Sequence, residues 1–139
     1  MDSTLMVNVE PRGESPIADP VEEFRGIVCD ALDTAEETYG VEDLECHLER
    51  ALVVLQRNPE LRPQFESELV SLLDSIKEGV IEVVSYAMHE LRWPAVERAI
   101  REKISVPGVD VSDVRLYGVM LEAFSDSWRD RDLYGRFSR

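Results

Sequence analysis

Residues 80–92 read VIEVVSYAMHELR, a stretch of helical length that is apolar on almost every side. A helix of this kind must be covered by neighbouring elements, because its apolar surface is unfavourable in water. We therefore predict that this stretch is the central helix of a helical core. Trp93 and Pro94 follow it directly; they end this helix and begin the next one.

Apolar residues recur every three or four positions on both sides of the central stretch, which is the period of an amphipathic α-helix. No segment after residue 18 alternates apolar and polar residues over the length of a strand. The sequence therefore predicts an all-α class with about six helices. Besides the central one, the predicted helices cover residues 19–39, 42–57, 61–79, 94–104 and 112–128, with Gly79 as the end of the third.

Short connections near residues 40, 58, 79 and 93 favour antiparallel helical hairpins. The hairpins could form a HEAT-like stack or an up-and-down bundle. The pair predicted for residues 80–104 resembles a HEAT-like hairpin, and residues 42–76 could form another. Repeat arrays need at least three such units for stability, so the pattern does not by itself establish a solenoid.

The chain of 139 residues, 44% of them hydrophobic, is long enough to bury one core. We predict a single helical domain over residues 19–139. Residues 1–18 contain Pro11, Gly13 and Pro16 and little periodicity, so we predict a flexible, disordered N-terminal arm. The sequence has no signal-peptide pattern and no membrane-spanning stretch, which leads us to expect a cytoplasmic protein.

The charge is unevenly distributed. Of the net −14, nearly all lies in residues 1–78, which hold 19 acids and 6 bases. Nucleic-acid binding depends on neutralising phosphates with Lys and Arg, so this balance disfavours a nucleic-acid partner. It disfavours anionic membrane surfaces for the same reason. A basic protein is the partner class that the charge favours.

The first predicted helix carries a ridge of acids at helical spacing, with Asp19, Glu23, Asp30, Asp33 and Glu37 on one face. Residues 19–49 hold 11 acids and a single base, so ion pairs within this region are nearly absent. If the second helix is adjacent and antiparallel, its acids extend the patch. The predicted partner-binding residues are Asp30, Asp33, Glu36, Glu37, Tyr39, Glu42, Asp43, Glu45 and Glu49.

The sequence gives weaker evidence for a metal site, a cofactor site or a catalytic nucleophile than for an acidic surface. Asp43, Cys46 and His47 are metal-ligand types, but a structural zinc site needs more ligands, and we predict no metal. Phosphate-cradling glycine loops are missing, and we predict no cofactor. Ser85 and His89 lie four residues apart without a GxSxG motif around the serine, so we expect a buried serine rather than a nucleophile.

In size, acidity and helical make-up, the chain resembles the immunity proteins that neutralise bacterial toxins. The resemblance implies a non-enzymatic inhibitor whose carboxylates cover a basic surface of a protein such as a nuclease toxin. The first alternative is a HEAT-like adaptor or scaffold whose interface is the corner at Trp93. A small enzyme is the third.

Overall fold

The computed structural model describes residues 19–37 and 40–138, and over these residues it contains six α-helices and no strand. This confirms the predicted all-α class. The predicted arm, residues 1–18, lies outside the described residues, and so does Tyr39. The helices are α1 Pro20–Glu36, α2 Val41–Arg57, α3 Arg62–Leu72, α4 Glu78–Leu91, α5 Pro94–Ile104 and α6 Val111–Glu122, with short 3-10 turns at Pro59–Leu61 and Arg131–Leu133.

The central helix is α4, as predicted from its composition. Ten of its residues are buried, and it contacts α1, α2 and α6. The remaining extensive contacts join α1 to α2, α5 to α6 and α3 to α5. Of the two predicted arrangements, these contacts favour a bundle around α4 over a HEAT-like stack.

Local sequence explains where the helices begin and turn. The Asp19 side chain accepts a hydrogen bond of 3.0 Å from the Val21 backbone N–H, and Pro20 occupies the first helical position of α1. At the end of α4, Arg92 adopts a left-handed conformation with φ of 50°, and Pro94 begins α5. This corner directs α5 toward α3 and α6 instead of back along α4, so residues 80–104 do not form the predicted HEAT-like hairpin.

Gly79 was predicted to end the third helix, and this prediction was wrong. The helix ends at Leu72, and Gly79 lies in the first turn of α4, buried against α1. A Cβ at this position would lie 2.7 Å from Leu32 Cδ2 and 3.2 Å from Leu32 Cα. The glycine therefore allows a close approach of the two helices, which a larger residue would force to shift.

The sixth helix is shorter than predicted, because it ends at Glu122 rather than Trp128. The chain after it, residues 123–137, folds back onto α4. The rings of Trp128 and Tyr134 stack at 5.8 Å between centroids, and Phe137 packs edge-on against His89 at 4.8 Å. Trp128, Tyr134 and Phe137 are buried and Phe124 is partly buried, so the tail completes the core.

Candidate functional site

The acids of α1 and α2 are brought together by an antiparallel hairpin. The two helices are separated by a short link and make the most extensive contact in the bundle. Asp30 of α1 lies 3.7 Å from Arg50 of α2, and Thr34 of α1 lines one cavity with Asp43 and His47 of α2. Residues closer to the link therefore face one another across the end of the hairpin.

Four exposed carboxylates surround this end of the hairpin, and we call them the acidic corner: Asp33, Glu36, Glu42 and Asp43. Within the described ranges, none of the four has an ion-pair partner. Glu37 is also exposed, and Asp30 is exposed at the edge of the corner. All four residues of the acidic corner belong to the predicted partner-binding set, and the fold leaves them exposed to solvent.

Two of the predicted partner-binding residues have roles inside the fold. Glu45 accepts hydrogen bonds from the Tyr86 hydroxyl at 2.8 Å and from the backbone N–H groups of Gly135 and Arg136 at 2.9 and 3.1 Å. Glu49 pairs with the Arg136 guanidinium at 3.1 Å. Their carboxylates are thus occupied by the C-terminal tail.

The Arg136 side chain is also paired with Glu90 of α4 at 3.2 Å, so three acids hold the tail. We call Glu45, Glu49, Glu90 and Arg136 the tail cluster. Sequence reasoning missed it because Arg136 is far along the chain from its partners on α2. The one available signal was the arginine between aromatic residues in the terminal sequence Tyr-Gly-Arg-Phe.

The acids of the corner differ in how they interact with the helices that carry them. Asp33 and Glu36 lie in the last turn of α1, where the partial negative charge of the helix end disfavours them. Glu42 and Asp43 lie in the first turn of α2, where the helix end is favourable to acids. The two α1 residues therefore carry most of the electrostatic cost of the corner.

A cavity of about 330 Å³ opens beside the corner, between α1, α2, α4 and the tail. Its charged lining residues are Glu78 and Glu82. The Tyr134 hydroxyl donates a hydrogen bond to Glu82. Burial raises the pKa of the Glu82 carboxyl, the hydrogen bond from Tyr134 partly opposes this, and the charges of Asp130 and Glu78 add to it. The acidic corner therefore lies beside a cavity whose charged residues are also acidic.

A second groove, of about 220 Å³, runs between α1 and α3 and is mainly apolar, lined by Phe24, Val28 and Leu72. An ion pair of 2.8 Å between Arg25 and Glu68 closes one side. The Arg25 guanidinium lowers the pKa of the Glu68 carboxyl.

Trp93, the alternative interface, is buried with 7% of its surface exposed. The Arg62 guanidinium lies over its ring at 4.9 Å from the centroid. The ring therefore packs inside the bundle at the corner between α4 and α5. It presents too little surface to act as an exposed contact for a partner.

The side chains considered for catalysis or metal binding do not form a site in the described structure. Ser85 and His89 are buried, and the His89 ring nitrogen Nδ1 lies 2.9 Å from the Ala123 carbonyl oxygen. Cys29 and Cys46 are exposed and free. Within residues 19–37 and 40–138, no group of three His, Cys, Asp or Glu side chains could hold a metal ion.

None of the described helices combines the length and the apolar character needed to cross a membrane. Comparisons with protein-family models, with curated proteins and with solved structures found no match to this chain.

Proposed function

We propose that this protein is a non-enzymatic binding protein whose acidic corner recognises a basic protein. In its sharper form, the proposal is an inhibitor that resembles the toxin-immunity proteins and neutralises a basic toxin such as a bacterial nuclease. The adaptor and enzyme alternatives have no comparable observation in their favour.

The observation that carries the proposal is the exposure of the acidic corner without ion-pair partners among the described residues. Elsewhere in the bundle, acids are commonly paired: Glu97 with Arg101, Glu122 with Arg129, and Asp126 with Arg92. Like charges held close together reduce stability, and Asp33 and Glu36 also lie at the helix end that disfavours acids. A basic partner would offset this cost on binding.

Inhibition would follow from charge and bulk together. A nuclease binds its substrate through basic residues that neutralise phosphates. The field of the acidic corner would steer such a surface toward the hairpin and raise the association rate. Once bound, the carboxylates would occupy the positions of the phosphates, and the bundle would exclude the nucleic acid.

The test is capture of the partner from the native host, followed by affinity measurement with purified proteins. The corner variant is Asp33→Lys with Asp43→Lys. Lysine is favourable in the last turn of α1, where it replaces Asp33, and unfavourable in the first turn of α2, where it replaces Asp43. The net effect on folding is therefore expected to be small. The matched control is Glu60→Lys with Glu102→Lys, which changes the net charge equally at exposed sites away from the corner.

We expect a basic protein to be captured, and its affinity to fall about tenfold or more in the corner variant, with a smaller change in the control. If the partner is a nuclease, an equimolar amount of the protein should abolish its activity. Equal affinities for the wild type and the corner variant would contradict the proposal.

A further inference from the structure

The cavity beside the acidic corner has apolar walls and an acidic lining. Its apolar walls include Val41, Leu44 and Leu133, and its charged residues are Glu78 and Glu82. Val41 and Leu133 are 39% and 58% exposed, and they are two of the four large apolar side chains exposed in the described ranges. The cavity therefore combines solvent-accessible apolar surface with negative charge only.

Glu82 is a partly buried carboxylate without a cation. The Tyr134 hydroxyl donates to one of its oxygens, and no Lys or Arg in the described part of the chain lies within ion-pair distance. Buried carboxylates are normally paired with a positive charge, and an ionised carboxylate can accept several hydrogen bonds. Glu82 thus retains acceptor capacity at the wall of an open cavity.

Glu78 lies four residues before Glu82 on α4, so both carboxylates are on one face of the helix. Both also line the same cavity. Like charges at this spacing repel each other, and a cation between them would remove the repulsion. The two groups therefore present two acceptors to one positively charged ligand.

We infer that this cavity receives one arginine side chain of a basic partner protein. The methylene groups lie against Val41, Leu44 and Leu133, and the guanidinium donates hydrogen bonds to Glu78 and Glu82. Arginine fits better than lysine for two reasons. Its guanidinium is planar with five N–H donors, so it can reach two carboxylates, and it is more weakly hydrated, so an apolar cavity costs it less.

The inference rests on the proposed function for the identity of the partner, but the cavity can be tested alone. The probe is ethylguanidinium chloride, added to the isotope-labelled protein and followed by NMR, with sodium chloride at equal ionic strength as the reference. We expect saturable shifts that are largest for methyl groups at Val41, Leu44 and Leu133. Propylammonium should bind more weakly.

Variants distinguish binding of the probe in the cavity from its attraction to the overall negative charge of the protein. Val41→Trp fills the cavity at an exposed position without changing charge, and Leu133→Trp is a second filling variant in case the first does not fold. Both should abolish the saturable shifts. The double variant Glu78→Gln with Glu82→Gln should weaken binding about tenfold, because it removes charge-assisted hydrogen bonds. Removing two charges elsewhere, with Glu60→Gln and Glu102→Gln, should leave binding unchanged.

Shifts that do not saturate, or that persist in both filling variants, would overturn the inference. Tighter binding of propylammonium than of ethylguanidinium would overturn the assignment to arginine. If the probe binds but no basic partner is captured, the cavity site stands and the proposed function fails. If a basic partner binds and neither filling variant weakens it, the proposed function stands and the arginine site fails.

Discussion

At the scale of single residues, α1 and α4 approach each other closely at one glycine. Gly79 of α4 lies against Leu32 and Ala35 of α1, and a Cβ there would lie within 2.7–3.3 Å of their atoms, so these neighbours would have to shift. Gly118 of α6 has no neighbour within 4 Å of the equivalent position. The two glycines are both helical, but only the first is required by packing.

We predict opposite effects for alanine at these two glycines. Gly79→Ala should lower the free energy of unfolding by about 1 kcal/mol or more, because overpacking outweighs the gain in helix propensity. Gly118→Ala should raise it by about 0.5–1 kcal/mol through propensity alone. Urea denaturation measures both, and a stabilised Gly79→Ala variant would show that α1 and α4 are not in tight contact.

Glu82 predicts a pH dependence of stability with a definite sign. Because burial raises the pKa of its carboxyl in the folded protein, the folded state binds more protons than the unfolded state between the ordinary and the raised pKa. The resulting contribution of Glu82 to the free energy of unfolding is fully present below the ordinary carboxyl pKa. It is lost as the pH rises through the raised pKa.

We therefore expect Glu82→Gln, which keeps an acceptor for Tyr134, to be more stable than the wild type at neutral pH. The difference should disappear in acid, where Glu82 is protonated. Denaturation curves from pH 3 to about 8 would measure it, with the exposed-site variant Glu42→Gln as the control. A constant difference across this range would contradict the raised pKa.

At the scale of helices, the C-terminal end of α1 favours positive charge, whereas the N-terminal end of α2 favours negative charge. Glu36 lies in the last turn of α1, which has no basic residue, and Glu42 lies in the first turn of α2. We predict that Glu36→Lys raises the free energy of unfolding and that Glu42→Lys lowers it, each by about 0.5–1 kcal/mol. Equal effects of the two reversals would show that net charge, rather than the helix ends, determines their stability.

Glu45 joins the C-terminal tail to α2 and α4. Its carboxylate accepts three hydrogen bonds, from Tyr86, Gly135 and Arg136. Glu45→Ala should therefore cost about 2–4 kcal/mol of stability and loosen the packing around Trp128. Denaturation and tryptophan fluorescence measure the two effects, and Glu42→Ala is the matched control, expected within about 0.5 kcal/mol of the wild type. A similar small effect for Glu45→Ala would show that the tail does not depend on this contact.

The sequence was sufficient to predict the elements whose signals are local. The first predicted helix begins at residue 19, next to the observed start of α1, Trp93 and Pro94 predicted the corner, and the apolar stretch predicted the central helix. It was not sufficient where a distant partner decides the outcome. The local pattern around Gly79 is typical of a helix end, and nothing in it indicates the α1 residues that Gly79 contacts. Glu45 and Glu49 were assigned to an interface because Arg136 is more than 80 residues away in the chain.

At the scale of the whole molecule, four exposed acids without ion-pair partners in the described ranges lie together at one end of the bundle. The acidic corner lies at the α1–α2 end, while α5, α6 and the tail carry ion pairs such as Glu97 with Arg101 and Glu122 with Arg129. Under the proposed function, the field of this corner would orient a basic partner as it approaches. The exposed acidic surface in the structure is smaller than the one that the sequence predicts, because the tail binds Glu45 and Glu49.

The association rate with a captured basic partner tests the central claim most directly. It should be measured for the wild type, the corner variant Asp33→Lys with Asp43→Lys, and the control Glu60→Lys with Glu102→Lys, at about 0.05 M and about 0.5 M salt. We predict a wild-type rate at least about tenfold faster at low salt, and loss of most of that advantage in the corner variant only. If the corner and control variants have equal rates and equal salt dependence, the acidic corner is not the binding surface.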